Sequence, residues 1–183
     1  YVSEKEIIRL LLKFGSAEFE RKIRSEDGKE EITTVSDYIV REIVSDDLRF
    51  DDDVFRMIFE EFKFATEQGI FLEDNQFIKH EDPVISKLSA ELLSDSHALS
   101  PIWIEKQTFV ETEDMKLKDI VPDSVLFFKG GKIKRRIDEI MIRMKEAQKS
   151  GDTESVFSLM KKDQNLKMAL RMISEKLGNR IIL

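Results

Sequence analysis

Residues 128–148 read FKGGKIKRRIDEIMIRMKEAQ. Within this stretch Ile133, Ile137, Ile140, Met144 and Ala147 recur at intervals of four and three, the heptad seam of a helix that packs along another helix. Serine, glycine and aspartate follow at 150–152 and mark a short turn, with Asp152 or Thr153 able to cap the next helix. Beyond the turn, Val156, Leu159, Asp163, Leu166, Leu170, Ile173 and Leu177 repeat at three and four. Two such helices joined by a short turn predict an antiparallel hairpin. Asp163 is a polar defect in that seam. Gly130-Gly131 interrupts the first helix at about 1 kcal/mol per glycine, and one long helix, bent or straight there, is still expected. Pro122 suits its start.

Upstream, the periodicity stays helical. Ser3 and Glu6 have capping-box spacing before Ile7, Ile8, Leu11, Leu12 and Phe14, so a helix is expected over 4–14, stopped by Gly15. Residues 16–32 are charged and contain Asp27-Gly28, which reads as a loop. Thr34 caps a helix with Val35, Tyr38, Ile39 and Ile43 inside. The acids at 51–53 suit the positive N-terminus of a third helix, which carries Val54, Phe55, Ile58, Phe59 and Phe62 to Gly69. Leu-Glu-Asp-Asn-Gln at 72–76 reads as a turn. His80 and Asp82-Pro83 open a helix with Asp82 as N-cap, Pro83 at the first position and a stripe of Val84, Ile85, Leu88, Leu92 and Leu93. Residues 94–101 form a connector. Residues 102–116, with Trp103, Phe109 and Val110, fit helix or extended chain equally. No strand pair with a hairpin turn stands out. The expected fold is all-α: a helical bundle over 1–115, then a long helix and an antiparallel two-helix hairpin over 116–183.

Charge divides along the same line. Residues 1–115 carry 14 Lys+Arg against 28 Asp+Glu, net −14; residues 116–183 carry 16 against 9, net +7. Charged residues make up 37% of the 183 and hydrophobic ones 41%, enough for a core under a heavily solvated surface. There is no cysteine, which excludes disulfides and thiolate metal sites and fits a cytoplasmic protein. No apolar run approaches the roughly 20 residues of a membrane span. The chain begins at Tyr1, which suits a processed chain or a piece of a longer one.

Recognisable catalytic chemistry is missing. His80 and His97 are the only imidazoles and stand 17 residues apart, poor material for zinc. Asp46, Asp47, Asp51, Asp52 and Asp53 lack calcium-loop spacing. Lys-Gly-Gly-Lys at 129–132 lacks phosphate-loop spacing. No catalytic, metal or cofactor site is therefore expected, and the chain does not read as a complete enzyme.

The helix after the turn has a second apolar stripe, Phe157, Met160, Met168 and Met172, beside the seam. Five of the seven methionines lie between 141 and 172, and methionine suits adaptable docking surfaces. Either the stripe packs on residues 1–115, or it docks a partner protein with Lys161, Lys167, Arg171 and Lys176 as a cationic rim. Lys132, Lys134, Arg135, Arg136, Arg143 and Lys145 on the preceding helix suit a solvated face, an acidic protein partner or single-stranded nucleic acid. Aromatic residues do not interleave with them as stacking platforms do.

Four stretches, in order, resemble one family. They are EKEIIRLLLKFG (4–15), VSDYIVREIVSDDLRFDDD (35–53), FIKHEDPVISKLSAELLSD (77–95) and LKDIVPDSVLFFKGGKIKRRIDEI (117–140). Together they resemble the C-terminal, helicase-binding region of bacterial DnaG-type DNA primases, over nearly the whole chain. The resemblance implies a bundle, a long helix and a hairpin that contacts the N-terminal domains of the hexameric replicative helicase. It also implies binding of the acidic tail of single-stranded-DNA-binding protein. In that family the zinc-binding and polymerase parts lie elsewhere. A monomer or a weak hairpin-swapped dimer is expected, with Gly130-Gly131 as the hinge.

Overall fold

The computed structural model describes residues 1–24, 30–94 and 113–178, with side chains over 1–19, 33–94 and 113–178. The Asp27-Gly28 turn, the connector beyond Ser94, His97 and the ambiguous residues 102–112 lie outside these. The fold is all-α with one small β hairpin. Two compact units divide it, Tyr1–Pro122 and Asp123–Leu183, so the division falls inside the long helix.

In the first unit the central element is α1 (Val2–Phe14). Ile7, Ile8, Leu10, Leu11 and Leu12 are all buried, so apolar surface runs around most of the helix. A helix apolar on nearly all sides must be surrounded, and α1 packs against α2 (Val35–Ser45), α3 (Asp53–Gln68), α4 (Asp74–Ile78) and α5 (Pro83–Ser94). Its N-cap is Tyr1, without a side-chain cap, so the Ser3–Glu6 capping box is not used. Glu4 is buried instead and faces another helix: its carboxylate accepts the backbone N–H groups of Asp51 (2.9 Å) and Asp52 (3.3 Å). Gly15 ends α1 in right-handed geometry. Here glycine answers to space, since a Cβ would lie 2.4 Å from the Leu11 carbonyl oxygen and 2.9 Å from Phe62 Cε1.

The expected loop at 16–32 is corrected by a β hairpin, β1 (Glu18–Arg24) antiparallel to β2 (Glu30–Thr34). Glu18 pairs with Thr34 and Arg24 with Glu30, with a register shift between Phe19 and Ile23. The many charges in this segment hide its alternation, and a two-stranded ribbon needs only one face covered. Phe19 supplies an anchor, buried with its ring 4.9 Å from that of Tyr38. Val35 N–H donates to Ala17 C=O and Ser36 N–H to Gly15 C=O, fastening the hairpin base to the end of α1.

Thr34 caps α2 in a reciprocal capping box with Asp37, and Val35, Tyr38, Ile39 and Ile43 are buried as expected. Asp52 caps α3 through the N–H groups of Val54 and Phe55, and Gly69 closes it with φ +66°. Phe55, Ile58, Phe59 and Phe62 are buried while Val54 is half-buried. The turn expected at 72–76 is the entry to α4, where Phe77 stacks on Phe62 at 5.0 Å. At the start of α5, Asp82 Oδ1 accepts from Val84 N–H, and His80 Nδ1 accepts the N–H of Asp82 (2.9 Å). That leaves the His80 ring proton on Nε2, where it donates to Glu61 at 3.0 Å. His80 is thus a helix-entry clasp to α3. Val84 departs from the expected stripe: at the first turn of α5 it is exposed, and Ser89 is buried beside Ile85 and Leu92.

A 3₁₀ turn (Glu113–Lys116) leads into α6 (Leu117–Ser150), which continues through Gly130 and Gly131. Pro122 stands inside α6 rather than at its start. It is the sixth residue of α6, beyond the first four N–H groups that have no intrahelical partner, so it removes one main-chain bond from the second turn. In the second unit Gly151, at φ +74°, and Asp152 turn the chain into α7 (Thr153–Lys176). Ile137, Ile140, Leu159, Leu170 and Leu177 are buried; Ile133, Met144, Ala147, Val156, Asp163, Leu166 and Ile173 are half-buried. Every expected seam position is thus at least partly withdrawn from water.

Candidate protein-docking surface

The surface is built on α7. Asp152 fixes its first turn by accepting the N–H of Ser155 at 3.0 Å. The Ser155 hydroxyl and backbone N–H together hold the Asp152 carboxylate below its usual range. Asp163, the polar residue in the seam, turns one oxygen outward to Lys167 Nζ at 2.8 Å. Its other oxygen, Oδ1, is buried with no hydrogen-bond partner among the described residues. The polar defect therefore also places a cation beside the seam.

With 3.6 residues per turn, Phe157, Met168 and Met172 fall on the side of α7 opposite Leu159 and Leu170, and Met160 at the edge of that side. Their position is farther round than one merely beside the seam. Phe157 is 71% exposed, Met160 51%, Met168 59% and Met172 58%. Lys161, Lys167, Arg171 and Lys176 are exposed along the same helix, Arg171 being paired with Glu175 at 3.0 Å. This row of apolar side chains extends for about 22 Å, from 15 residues at 1.5 Å each.

One flank of the hairpin holds a groove of about 510 Å³. Lys134, Ile137 and Asp138 of α6 line it opposite Gln164, Lys167, Met168, Leu170 and Arg171 of α7. Residues about equally far from the turn thus meet, which is the antiparallel register. Three of the eight expected docking residues (Lys167, Met168 and Arg171) come together at this groove. Phe157, Met160, Lys161, Met172 and Lys176 lie outside its lining. The reading of the sequence missed the α6 wall, because Lys134 and Asp138 carry no apolar signal. Ile137 and Leu170 serve two purposes, closing the seam and flooring the groove.

Lys134, Arg135, Arg136, Arg143 and Lys145 are exposed on α6, whereas Lys132 is half-buried with its ammonium 5.2 Å from the Phe128 ring centre. Among the described residues no three His, Asp or Glu side chains are grouped so as to hold a metal. None of the described helices is long and apolar enough to cross a membrane.

A family model matches residues 1–181, essentially end to end. The chain belongs to that family, the domain of unknown function DUF8430. Because the match takes in both units, the bundle and the hairpin belong to one family module. No curated protein and no solved structure matches the chain.

Proposed function

We propose that this chain is a non-catalytic docking module, the C-terminal helicase-binding region of a DnaG-type DNA primase. In this reading it works in the cytoplasm and recruits the primase to the hexameric replicative helicase. One observation carries the docking reading. The seam of α7 is already met by α6, yet the opposite side of the helix exposes four large apolar side chains. Monomeric proteins seldom leave such a row in water without a partner. The four ordered stretches that resemble the primase family supply the identity of that partner. Phe157, Met160, Met168 and Met172 would anchor the contact. Lys161, Lys167, Arg171 and Lys176 would mainly speed encounter and set its salt dependence. The module needs no metal or cofactor for this role, and primer synthesis would reside in other parts of the primase.

Calorimetric titration of the chain with the replicative helicase of the same organism tests the reading. Saturable binding that Met168→Asp removes, with helicity unchanged, supports it. A well-folded chain that fails to bind overturns it. In that case a salt-dependent titration with single-stranded nucleic acid examines the basic helix over residues 132–145 as the alternative interface.

A further inference from the structure

The first unit carries exposed apolar side chains of its own, along α3 and at its far end. Met57 and Phe64 stand seven residues apart on one line of the helix, exposed to 41% and 63%. At Gly69 the chain reverses, and Ile70 N–H returns to Ala65 C=O at 2.8 Å. This closure puts Ile70 (53% exposed) and Phe71 (66%) at the end of the same helix. Phe64 and Phe71 stand out in a unit that buries Phe19, Phe50, Phe55, Phe59, Phe62 and Phe77. The surroundings are acidic: residues 57–74 hold Glu60, Glu61, Glu67, Glu73 and Asp74 against Lys63 alone, net −4. Lys63 is itself paired with Glu60 at 3.2 Å.

A patch of this kind fits a helix that is apolar on one side and cationic at its margins. Among the described residues, α7 has that chemistry. Its outer side offers Phe157, Met168 and Met172 with Lys161, Arg171 and Lys176, and residues 153–176 carry five cations against three acids, net +2. The larger charge balance has the same sense, −14 over residues 1–115 and +7 over 116–183.

We propose that the acidic, aromatic end of α3 is a docking site for a second copy of this chain, which presents the outer side of its α7. The contact is heterologous, since two different surfaces meet, so a pair leaves one copy's α7 and the other copy's α3 patch unused. Four apolar side chains against three make a small interface, below about 1,200 Å², and its affinity belongs in the weak, transient class. The copy that donates its α7 would use the surface assigned above to the helicase, so a given α7 would serve either the helicase or a second copy, and only the receiving copy of a pair would keep its α7 for the helicase. The bundle side of the inference stands on the α3 patch and does not depend on helicase docking.

Sedimentation velocity of the full chain, over a concentration series and without helicase, tests this. The expected result is association that grows with concentration and weakens about tenfold as salt is raised and the charges are screened. Phe71→Glu and Met168→Asp should each weaken it by at least about tenfold. Both side chains are exposed, so circular dichroism should be unchanged. Mixing the two variants is the decisive step. Phe71→Glu keeps a sound α7 and Met168→Asp keeps a sound α3 patch, so the mixture should form a one-to-one dimer and nothing larger. A chain that stays monomeric at every concentration overturns the proposal. So does association that Phe71→Glu leaves intact, or a mixture that fails to pair. The two readings remain separable, because Phe71→Glu should still bind helicase while Met168→Asp should not.

Discussion

Glu113 and Arg9, 104 residues apart in sequence, are joined by a two-pronged ion pair. Arg9 Nη1 donates to Oε2 of Glu113 at 3.1 Å, and Arg9 Nη2 donates to Oε1. Lys13 Nζ reaches the same carboxylate at 2.7 Å, while Glu6 holds the Arg9 guanidinium from the other side. The cluster ties the chain just before the long helix to the central helix α1.

This clasp should show in the acid stability of the bundle. The hydrogen bond from Arg9, aided by Lys13 and opposed by burial, holds the Glu113 carboxyl at about 2, below its ordinary 4.5. The native state therefore favours the ionised form. Its contribution is complete above pH 4.5 and disappears as pH falls toward 2. Glu113→Gln should lower stability at pH 7 by about 1 kcal/mol, a modest figure because the pair is partly solvated. Urea unfolding of both proteins at pH 7 and pH 2 should show a gap that closes in acid.

Glu4 is predicted to matter more than its place on α1 suggests. Its side chain is 2% exposed and accepts the N–H groups of Asp51 and Asp52, the entry to α3. Glu4→Ala removes a buried acceptor from two part-buried N–H donors, at a cost of about 1–3 kcal/mol. Chemical denaturation should show the loss, with the urea midpoint shifted and the slope unchanged. A midpoint within error of the parent would mean that the loop finds other acceptors.

The degree to which these features could be read from sequence follows from their range. Heptad spacing exposed both halves of the hairpin, because its period is local and repeats many times. Thr34, Asp52 and Asp82 were legible as caps, because a cap needs only its neighbours. Glu4 was not legible, since its partners lie 47 and 48 residues away and a glutamate near a helix start has an ordinary local reading. The β hairpin was concealed by charge on both strands, with Phe19 as a buried apolar anchor. On the docking surface, the outer residues of α7 could be named from their spacing. The groove wall from α6 could not, because Lys134 and Asp138 gain their meaning only when the two helices meet.

Asp163 should be replaceable to advantage. It occupies a seam position, pairs with Lys167, and keeps Oδ1 buried without a hydrogen bond among the described residues. Asp163→Leu removes that burden and completes the apolar seam, so the thermal midpoint should rise, by the equivalent of about 1 kcal/mol. Lys167 would then be freed from its carboxylate and could lie differently at the groove. A stabilised hairpin with slower helicase association would indicate that Asp163 is retained to position Lys167. Unchanged association would make Asp163 a tolerated defect.

Met168 and Leu170 offer the sharpest contrast, because two residues separate the outside of α7 from its seam. Met168 is 59% exposed and Leu170 is 3% exposed. Met168→Asp should leave helicity and thermal midpoint near those of the parent, because an exposed aspartate meets water. If the outer side is a docking surface, the same change puts a charge into the centre of the contact and should weaken helicase binding by at least about 2 kcal/mol, roughly 30-fold. Leu170→Ala behaves in the opposite order. It opens a cavity in the seam at about 2–4 kcal/mol of hairpin stability, and binding should fall only as far as the hairpin is unfolded. Measuring melting and binding for both variants separates the two sides of the helix. Loss of stability with Met168→Asp equal to that with Leu170→Ala would show that the methionine side is covered within the folded chain, and the docking assignment would fail with it.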